Sequence, residues 1–444
     1  MTRIALDPFS DNTGSAHVVF MYGFVHVGPN ESGASIARFA ATGQFSQVLP
    51  FSVAKDLSGT NTMSNTQPGP FTRLGNSGCS ANTTCGPDNE DHRVFMFGGD
   101  LGGNPTLAFG PSRAGGALRY AYTGVPGLTT APLAWADLAG CIPGGTTAYT
   151  AGLSFKGRLY FGLSNNTTQR PGLVMLATRP SMPGLDAVPL LDCHNLEARL
   201  MPGLAGAAPN RIDSIGAFND RLYVANGDAW YRSTTDNPRS YASYPGDWLR
   251  VTPSAAAYGA RASKTSIKDV SFGPSDLAVP HFAAFGGRFF AGRNTTAGPQ
   301  LWSCNPALTD SPSDCDAGDW QLLAPNSSGD TLLSQFNTAA LASVTMVEAT
   351  PNFLYVGFNS NGGVRVFRTS SPAATSRADF RGEASCAADL APTGCQPLGG
   401  AGFLDADNTF IYSATPFQRF NGEQGLVLTT GRPSVPTRVF RIDD

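Results

Sequence analysis

Charge is scarce in this sequence. Asp, Glu, Lys and Arg make up 14% of its 444 residues, and the formal net charge is −3. That balance supplies no basic surface for nucleic acid and no polybasic segment for an anionic membrane. Lysine is scarcer still. Lys55, Lys156, Lys264 and Lys268 are the whole set, and every other basic residue is arginine, which reads as a surface bias. Long apolar runs are missing too. Nothing approaches the ~18 consecutive apolar residues of a spanning helix. The opening residues, MTRIALDPFSDNTG, lack the apolar core of a secretory signal.

The familiar catalytic signatures are also absent. There is no Gly-x-Ser-x-Gly, no His-Glu-x-x-His and no Gly-Lys dipeptide, which removes the nucleophile elbow, the zinc protease helix and the P-loop. The five histidines, His17, His26, His92, His194 and His281, share no spacing, and each reads as a structural or exposed imidazole. No Cys-x-x-Cys occurs and no histidine cluster accompanies the cysteines, so a zinc site is not encoded. Cys193-His194 is an incidental dipeptide. Glycosidase chemistry needs two carboxylates across a cleft, a separation that sequence does not report.

What the sequence has in quantity is glycine, proline and phenylalanine: 51, 33 and 28 residues. That mixture suits many short strands and tight turns. One stretch organises the rest, AFNDRLYVANGDAWYRS at Ala217–Ser233. Two β-rich runs flank Asn226-Gly227 and read as a hairpin. The stretch returns at Ser154–Leu176, Ala283–Cys304 and Pro351–Ser370. Seven copies of its core are placed: Val18–Gly23, Arg93–Gly99, Arg158–Gly162, Arg221–Asn226, Arg288–Gly292, Phe353–Gly357 and Gly425–Gly431. Their key positions (Phe20, Phe95, Tyr160, Tyr223, Phe290, Tyr355 and Leu426) fall 63 to 75 residues apart. Such a period is too long for a helical solenoid and carries no helical rhythm.

Four strands fit each period. Asp319–Pro325, Ala340–Ala349, Phe353–Phe358 and Val364–Ser370 illustrate them. The Trp-bearing strand recurs as AWADL (Ala134–Leu138), DWLRV (Asp247–Val251) and DWQLL (Asp319–Leu323), with QVLPF (Gln47–Phe51), AVPLL (Ala187–Leu191) and QPLGG (Gln396–Gly400) as weaker relatives. FLYVGF is apolar throughout, as a strand covered on both faces should be. The expected fold is all-β: a seven-bladed β-propeller of four-stranded antiparallel blades, one domain over residues 1–444, with a ring closed by the termini. The last unit lacks a fourth strand. Thr2–Phe9 is available to supply that strand or the first strand of the first blade. Leu57–Asn76 and Ser254–Ser271, rich in small and polar residues, read as long surface loops.

Eight cysteines pair by proximity as Cys79 with Cys85, Cys304 with Cys315 and Cys386 with Cys395, leaving Cys141 with Cys193. Disulfide-closed polar loops imply an oxidising, extracellular or cell-surface setting, with Met1 expected to be an initiator placed on an excised ectodomain. Asn-X-Ser/Thr triplets at Asn30, Asn82, Asn165/Asn166, Asn294 and Asn326 fit a surface but arise readily by chance. No cofactor is expected apart from a calcium ion at Asp405 and Asp407, whose alternating carboxylates suit one; Asp88–Asp91 is a weaker candidate. Both also read as turns. Arg93, Arg158, Arg221 and Arg288 head four repeats and should be spread apart rather than clustered. Trp230 and Trp302 fall on third strands, and Trp135, Trp248 and Trp320 on fourth strands, positions that favour packing between blades.

The pattern F-x-G-R-L-Y-V-G, then V/L-W-R-S, then D-W-x-x-V resembles the repeats of bacterial exported β-propeller proteins, and more distantly the Asp-box propellers. Arg232-Ser233-Thr234-Thr235-Asp236-Asn237 begins like an Asp-box, but Trp248 arrives late and no Gly holds the turn. The exported group resembled here implies surface or binding proteins. The expectation is a non-catalytic extracellular or cell-surface propeller that binds a protein or glycan through its face loops, with no catalytic residues assigned. The alternatives are a propeller-type carbohydrate-active hydrolase or lyase using channel carboxylates, and a structural module of a larger surface machine.

Overall fold

The computed structural model describes residues 2–6, 17–23, 34–40, 45–47, 94–102, 104–111, 119–122, 134–137, 148–164, 172–178, 196–202, 212–226, 229–239, 241, 243–253, 281–295, 298–306, 314–324, 341–374, 379–382, 397–418, 424–432 and 435–444. Among them every extended element is a β-strand, and the strands form seven antiparallel sheets. Five sheets have four strands and two have three. In each sheet, spatial order follows chain order, so each is a simple meander.

The chain divides into two compact units, Met1–Pro202 with Phe417–Glu423, and Gly203–Pro416 with Gln424–Asp444. In the first unit, sheet one is β1 (Thr2–Leu6), β2 (His17–Gly23), β3 (Ala34–Ala40) and β4 (Phe45–Gln47). Sheet two is β5 (Val94–Leu101), β6 (Asn104–Pro111), β7 (Arg119–Tyr122) and β8 (Ala134–Asp137). Sheet three is β9 (Ala148–Phe155), β10 (Arg158–Ser164), β11 (Gly172–Thr178) and β12 (Leu196–Pro202). The first strands lie side by side, β1 against β5 and β5 against β9. Asp100 and Ser154 fasten the second of these contacts. The Asp100 N–H donates to Ser154 Oγ at 2.8 Å, and Ser154 Oγ donates to the Asp100 carbonyl at 2.9 Å.

Four sheets follow from residue 214 onward. Sheet four is β13 (Ser214–Phe218), β14 (Arg221–Asn226), β15 (Ala229–Ser233) and β16 (Trp248–Arg250). Sheet five is β17 (His281–Phe285), β18 (Arg288–Thr295), β19 (Gly298–Cys304) and β20 (Trp320–Ala324). Sheet six is β21 (Leu341–Ala349), β22 (Leu354–Ser360) and β23 (Arg365–Thr369). Sheet seven is β24 (Phe410–Gln418), β25 (Gln424–Arg432) and β26 (Val435–Asp443).

The hairpins between first and second strands share one chemistry. Lys156-Gly157, Asn219-Asp220 and Gly286-Gly287 all have positive φ at both positions, between 46° and 78°. Two left-handed residues make the tight turn whose twist matches that of the flanking strands. Phe155 then faces Arg158, Phe218 faces Arg221 and Phe285 faces Arg288.

Continuous apolar strands follow from covering both sheet faces. On β18, Phe289 and Ala291 join the core shared with sheet four, alongside Phe218, Tyr223 and Trp230. Phe290, between them, joins the core shared with sheet six, alongside Val344, Val347 and Val356. On β22 the same alternation sends Leu354, Val356 and Phe358 toward sheet five and Tyr355 toward sheet seven, where Ile411 and Leu426 wait. The period is two, as in any strand, but both sets are buried. Aromatic pairs lock the seam between sheets four and five. Phe218 stacks on Phe289 at 5.2 Å, and Trp230 meets Trp320 edge-on at 4.8 Å.

Several sequence expectations are corrected. Arg93–Gly99 was aligned with second strands, yet its described part opens β5, the first strand of sheet two. A Phe-rich run covered on both faces reads alike in either place. AVPLL (Ala187–Leu191) lies outside the described residues; the fourth strand of sheet three is β12, at Leu196–Pro202. QPLGG does not form a strand in its described part. Sheet six has three strands, and two fragments touch the free edge of β23: Arg381 exchanges backbone hydrogen bonds with Arg368 at 2.7 and 2.8 Å, and the Leu398 N–H donates to the Val366 carbonyl at 2.9 Å. Gly399 and Gly400, both at positive φ, then turn the chain away. The N-terminal segment takes the second of its two expected roles. β1 pairs with β2 from Thr2 opposite Tyr22 to Leu6 opposite Val18, and sheet seven keeps three strands.

Gly216 on β13 marks how closely the sheets approach. A Cβ there would stand 2.6 Å from Phe282 Cβ and 2.9 Å from Phe289 Cζ. Gly216→Ala is therefore expected to destabilise the fold by about 1–3 kcal/mol, read as a lowered denaturation midpoint with an unchanged denaturant slope. A variant as stable as the parent would refute this tight seam.

Candidate functional site

An antiparallel meander has two ends. The turns from first to second and from third to fourth strand share one end. The turn from second to third strand and the exit toward the next sheet share the other. In sheets four and five the first of these ends is dense with fixed polar groups. Cys304 and Cys315 are joined by a disulfide, and both are fully buried. The bridge holds Asp314 and Asp316 against sheet four. Arg232 lies 3.1 Å from a carboxylate oxygen of each, and Arg221 Nε lies 3.7 Å from Asp314. The Cys315 N–H donates to Tyr223 OH at 2.9 Å, and the Asp316 N–H donates to Asp319 Oδ2 at 2.7 Å. Burial pushes the Tyr223 phenol well above its ordinary value, although the Cys315 N–H favours the phenolate. This is a clasp between two sheets, with its charges spent on each other.

Sheet four fixes its other loop at that end the same way. Arg239 forks onto Asp247, Nε to Oδ2 at 2.9 Å and Nη2 to Oδ1 at 3.1 Å, and its backbone N–H donates to Oδ2 at 2.8 Å. The guanidinium stacks over the Tyr244 ring at 3.6 Å, and Trp248 Nε1 donates to the Arg239 carbonyl at 2.6 Å. Hydrogen bonds from Arg239 hold the Asp247 carboxyl below its usual range and Arg239 above its own. Asp247 thus anchors the loop, while Asp236, the residue in the Asp-box-like position, is exposed.

Glu348 is the one carboxylate on the described first strands of sheets four to seven. It sits on β21 directly opposite Tyr355. Facing cross-strand partners share a side of the sheet, so Glu348 looks toward sheet seven with Tyr355, whose hydroxyl donates to Asp444 Oδ1 at 2.7 Å. Desolvation pushes the Glu348 carboxyl up to about 8. The raised value favours the protonated form of this half-buried acid, the state a general acid needs.

The other sequence candidates are placed as follows. Arg158, Arg221 and Arg288 each begin a second strand, the first in one unit and the other two in the other; Arg93 lies outside the described residues. Asp405 Oδ1 accepts the Asp407 N–H at 3.0 Å, and Asp405 Oδ2 pairs with Arg438 at 2.8 Å. Among the described residues no three His, Cys, Asp or Glu side chains converge as metal ligands. Asp88–Asp91 lies outside the described residues, as do Cys79, Cys85, Cys141, Cys193, Cys386 and Cys395, and His26, His92 and His194. His17 falls on β2 and His281 on β17. Trp230, Trp302, Trp248 and Trp320 are all buried. Asn294 is buried, with its amide donating to the Val344 carbonyl at 2.9 Å and accepting the Val344 N–H at 2.8 Å, so it is closed to glycosylation. The sequence reading missed Glu348, Tyr355, Arg368 and Asp444. The available signal was the lone acid ending the apolar run VTMVEA.

No protein family model matches the chain, and no curated protein does. Among solved structures it is similar to the acylaminoacyl peptidase of Pyrococcus horikoshii at 7% identity and a TM-score of 0.41, covering 96% of this chain and 49% of that one. The β-propeller domain of the Trilobed protease of Pyrococcus furiosus is similar at 8% identity and a TM-score of 0.41, covering 96% and 90%. A Hadza microbial sialidase, Hz136, is similar at 7% identity and a TM-score of 0.37, covering 97% and 63%. The chain spans about half the length of the peptidase.

The raised Glu348 carboxyl fixes a pH dependence. The folded form holds the proton more tightly than the unfolded chain, so the folded state gains relative stability below the unfolded value of 4.5 and loses it as pH rises toward about 8. Across that window the loss is on the order of a few kcal/mol. Glu348→Gln is expected to flatten thermal stability between those pH values. A parent stability that is level or rising there would refute the assignment.

Proposed function

We propose that the seven sheets are the blades of one seven-bladed β-propeller spanning residues 1–444, its ring closed by the termini. We propose further that it is a non-catalytic binding protein of the extracellular space or cell surface, recognising a protein or glycan. The supporting observation is the unequal treatment of the two sheet ends. At one end, tight turns, a disulfide and ion pairs tie the loops to the scaffold. The long polar segments 57–76 and 254–271, outside the described residues, fall in sequence between the fourth strand of one sheet and the first strand of the next. Connecting segments on a rigid frame are where recognition often resides.

Replacing residues 254–271 by a short Gly-Ser linker should leave thermal unfolding unchanged and abolish binding on glycan and cell-surface protein arrays. An array on which the parent finds no ligand would count against the reading, as would a linker variant that binds equally well.

A second reading, a carbohydrate-active hydrolase or lyase, is favoured by one feature, the upward-shifted Glu348 carboxyl on a first strand. It requires a partner carboxylate, and a panel of glycoside substrates compared between the parent and Glu348→Gln decides it. Turnover by the parent that is lost in the variant would establish this reading over the first.

A further inference from the structure

Thr350 and Tyr355 flank the turn between β21 and β22, and both side chains are buried. Their hydroxyls converge on one carboxylate. Thr350 Oγ1 donates to Asp444 Oδ2 at 2.7 Å, and Tyr355 OH donates to Asp444 Oδ1 at 2.7 Å. Both donors are oriented in advance. The Phe353 N–H donates to Thr350 Oγ1 at 3.0 Å, and Arg368 Nη1 donates to Tyr355 OH at 3.2 Å. The Arg368 guanidinium stands over the Phe353 ring at 4.1 Å and also donates to the Asp443 carbonyl at 3.0 Å. Burial, with the Asp444 hydrogen bond second, pushes the Tyr355 phenol upward, which keeps it a donor at neutral pH.

Two preset hydroxyl donors beside a ring-stacked guanidinium are what a carboxylate requires, because donors fixed in place lose little freedom on binding. Beyond its side chain, the Asp444 N–H donates to the Gln424 carbonyl at 3.0 Å, and the Asp443 side chain beside it is 65% exposed and pairs with Arg441 at 2.6 Å.

We propose that Thr350, Tyr355 and Arg368 form a carboxylate-binding site for acidic peptides, and that Asp444 occupies it in cis as a competing ligand. The cradle sits at the first-to-second turn of sheet six. None of its residues falls in 57–76 or 254–271, so an array result on those segments neither supports nor removes it.

The test compares the parent with Asp444→Ala, using sodium acetate in thermal unfolding and a fluorescein-labelled Arg-Ile-Asp-Asp peptide in anisotropy. The variant should unfold earlier, recover with acetate but not with equal sodium chloride, and bind the peptide about tenfold or more tightly than the parent. The parent should respond to neither probe. A folded variant indifferent to acetate, with peptide affinity equal to the parent's, overturns the proposal. If Asp444→Ala does not fold, Asp444→Asn keeps the shape and carries the same readouts. Adding Arg368→Ala must remove the acetate and peptide responses; their persistence would place the binding elsewhere and also overturn it.

Discussion

Sheets five and six each bury two apolar faces and so need a neighbour on either side. That demand governs strand composition, the placement of glycine and the aromatic seams. β18 shows it most directly: Phe289 and Phe290 are adjacent in sequence and buried in different cores. A sheet wetted on one side would carry a polar residue at one of the two. Burying a large apolar side chain contributes roughly 1.5–3 kcal/mol, so leaving one whole face uncovered would forfeit several such contributions at once. The proposed ring gives every sheet a neighbour on both sides without a bare end.

Close stacking limits what the polar groups can do. A long charged side chain inside a strand needs its own partner, as fully buried Arg293 on β18 has in Gln300 Oε1 at 2.9 Å, and several others gather near the turns. There the fold pairs them: Arg232 with Asp314 and Asp316, Arg239 with Asp247, Arg438 with Asp405. A buried ion pair adds little net stability, because desolvation offsets its attraction, but breaking it leaves a stranded charge. Such pairs therefore act as position markers. The disulfide-closed segment ending at Cys315 is placed against Tyr223 by them, and Tyr223 in turn reports that placement through its hydroxyl.

Much of this architecture was legible because repetition multiplies a weak signal. No single copy of the Arg-Leu-Tyr-Val run distinguishes a strand covered on two faces from a buried helix turn, but seven copies fix the number of sheets. The same degeneracy caused the main error: a Phe-rich first strand, β5, looked like the second strands around it. The weak fourth strands were misplaced because their edge position asks little of sequence, and sheet six fills that edge with two fragments instead. The polar clusters were less legible. Arg239 and Asp247 are eight residues apart and meet through a loop conformation. Asp444 and Thr350 are separated by 94 residues and meet only once sheets six and seven have packed.

That last seam holds two acidic residues treated in opposite ways. Glu348 and Asp444 share a side of sheet six. Glu348 lies within the strand, where its shift has one cause, loss of water, and the fold resolves the cost by keeping the proton. Asp444 lies at the turn, where two hydroxyls are aimed at its oxygens and Arg368 stands alongside. The difference follows from position along the strand. Thr350 and Tyr355 turn their hydroxyls to Asp444, whereas the Glu348 shift comes from desolvation alone. A carboxylate arriving from outside could therefore be received at the turn and not in the strand. This is why the cradle around Asp444, rather than the half-buried acid two positions before Thr350, is the part of this seam suited to a ligand.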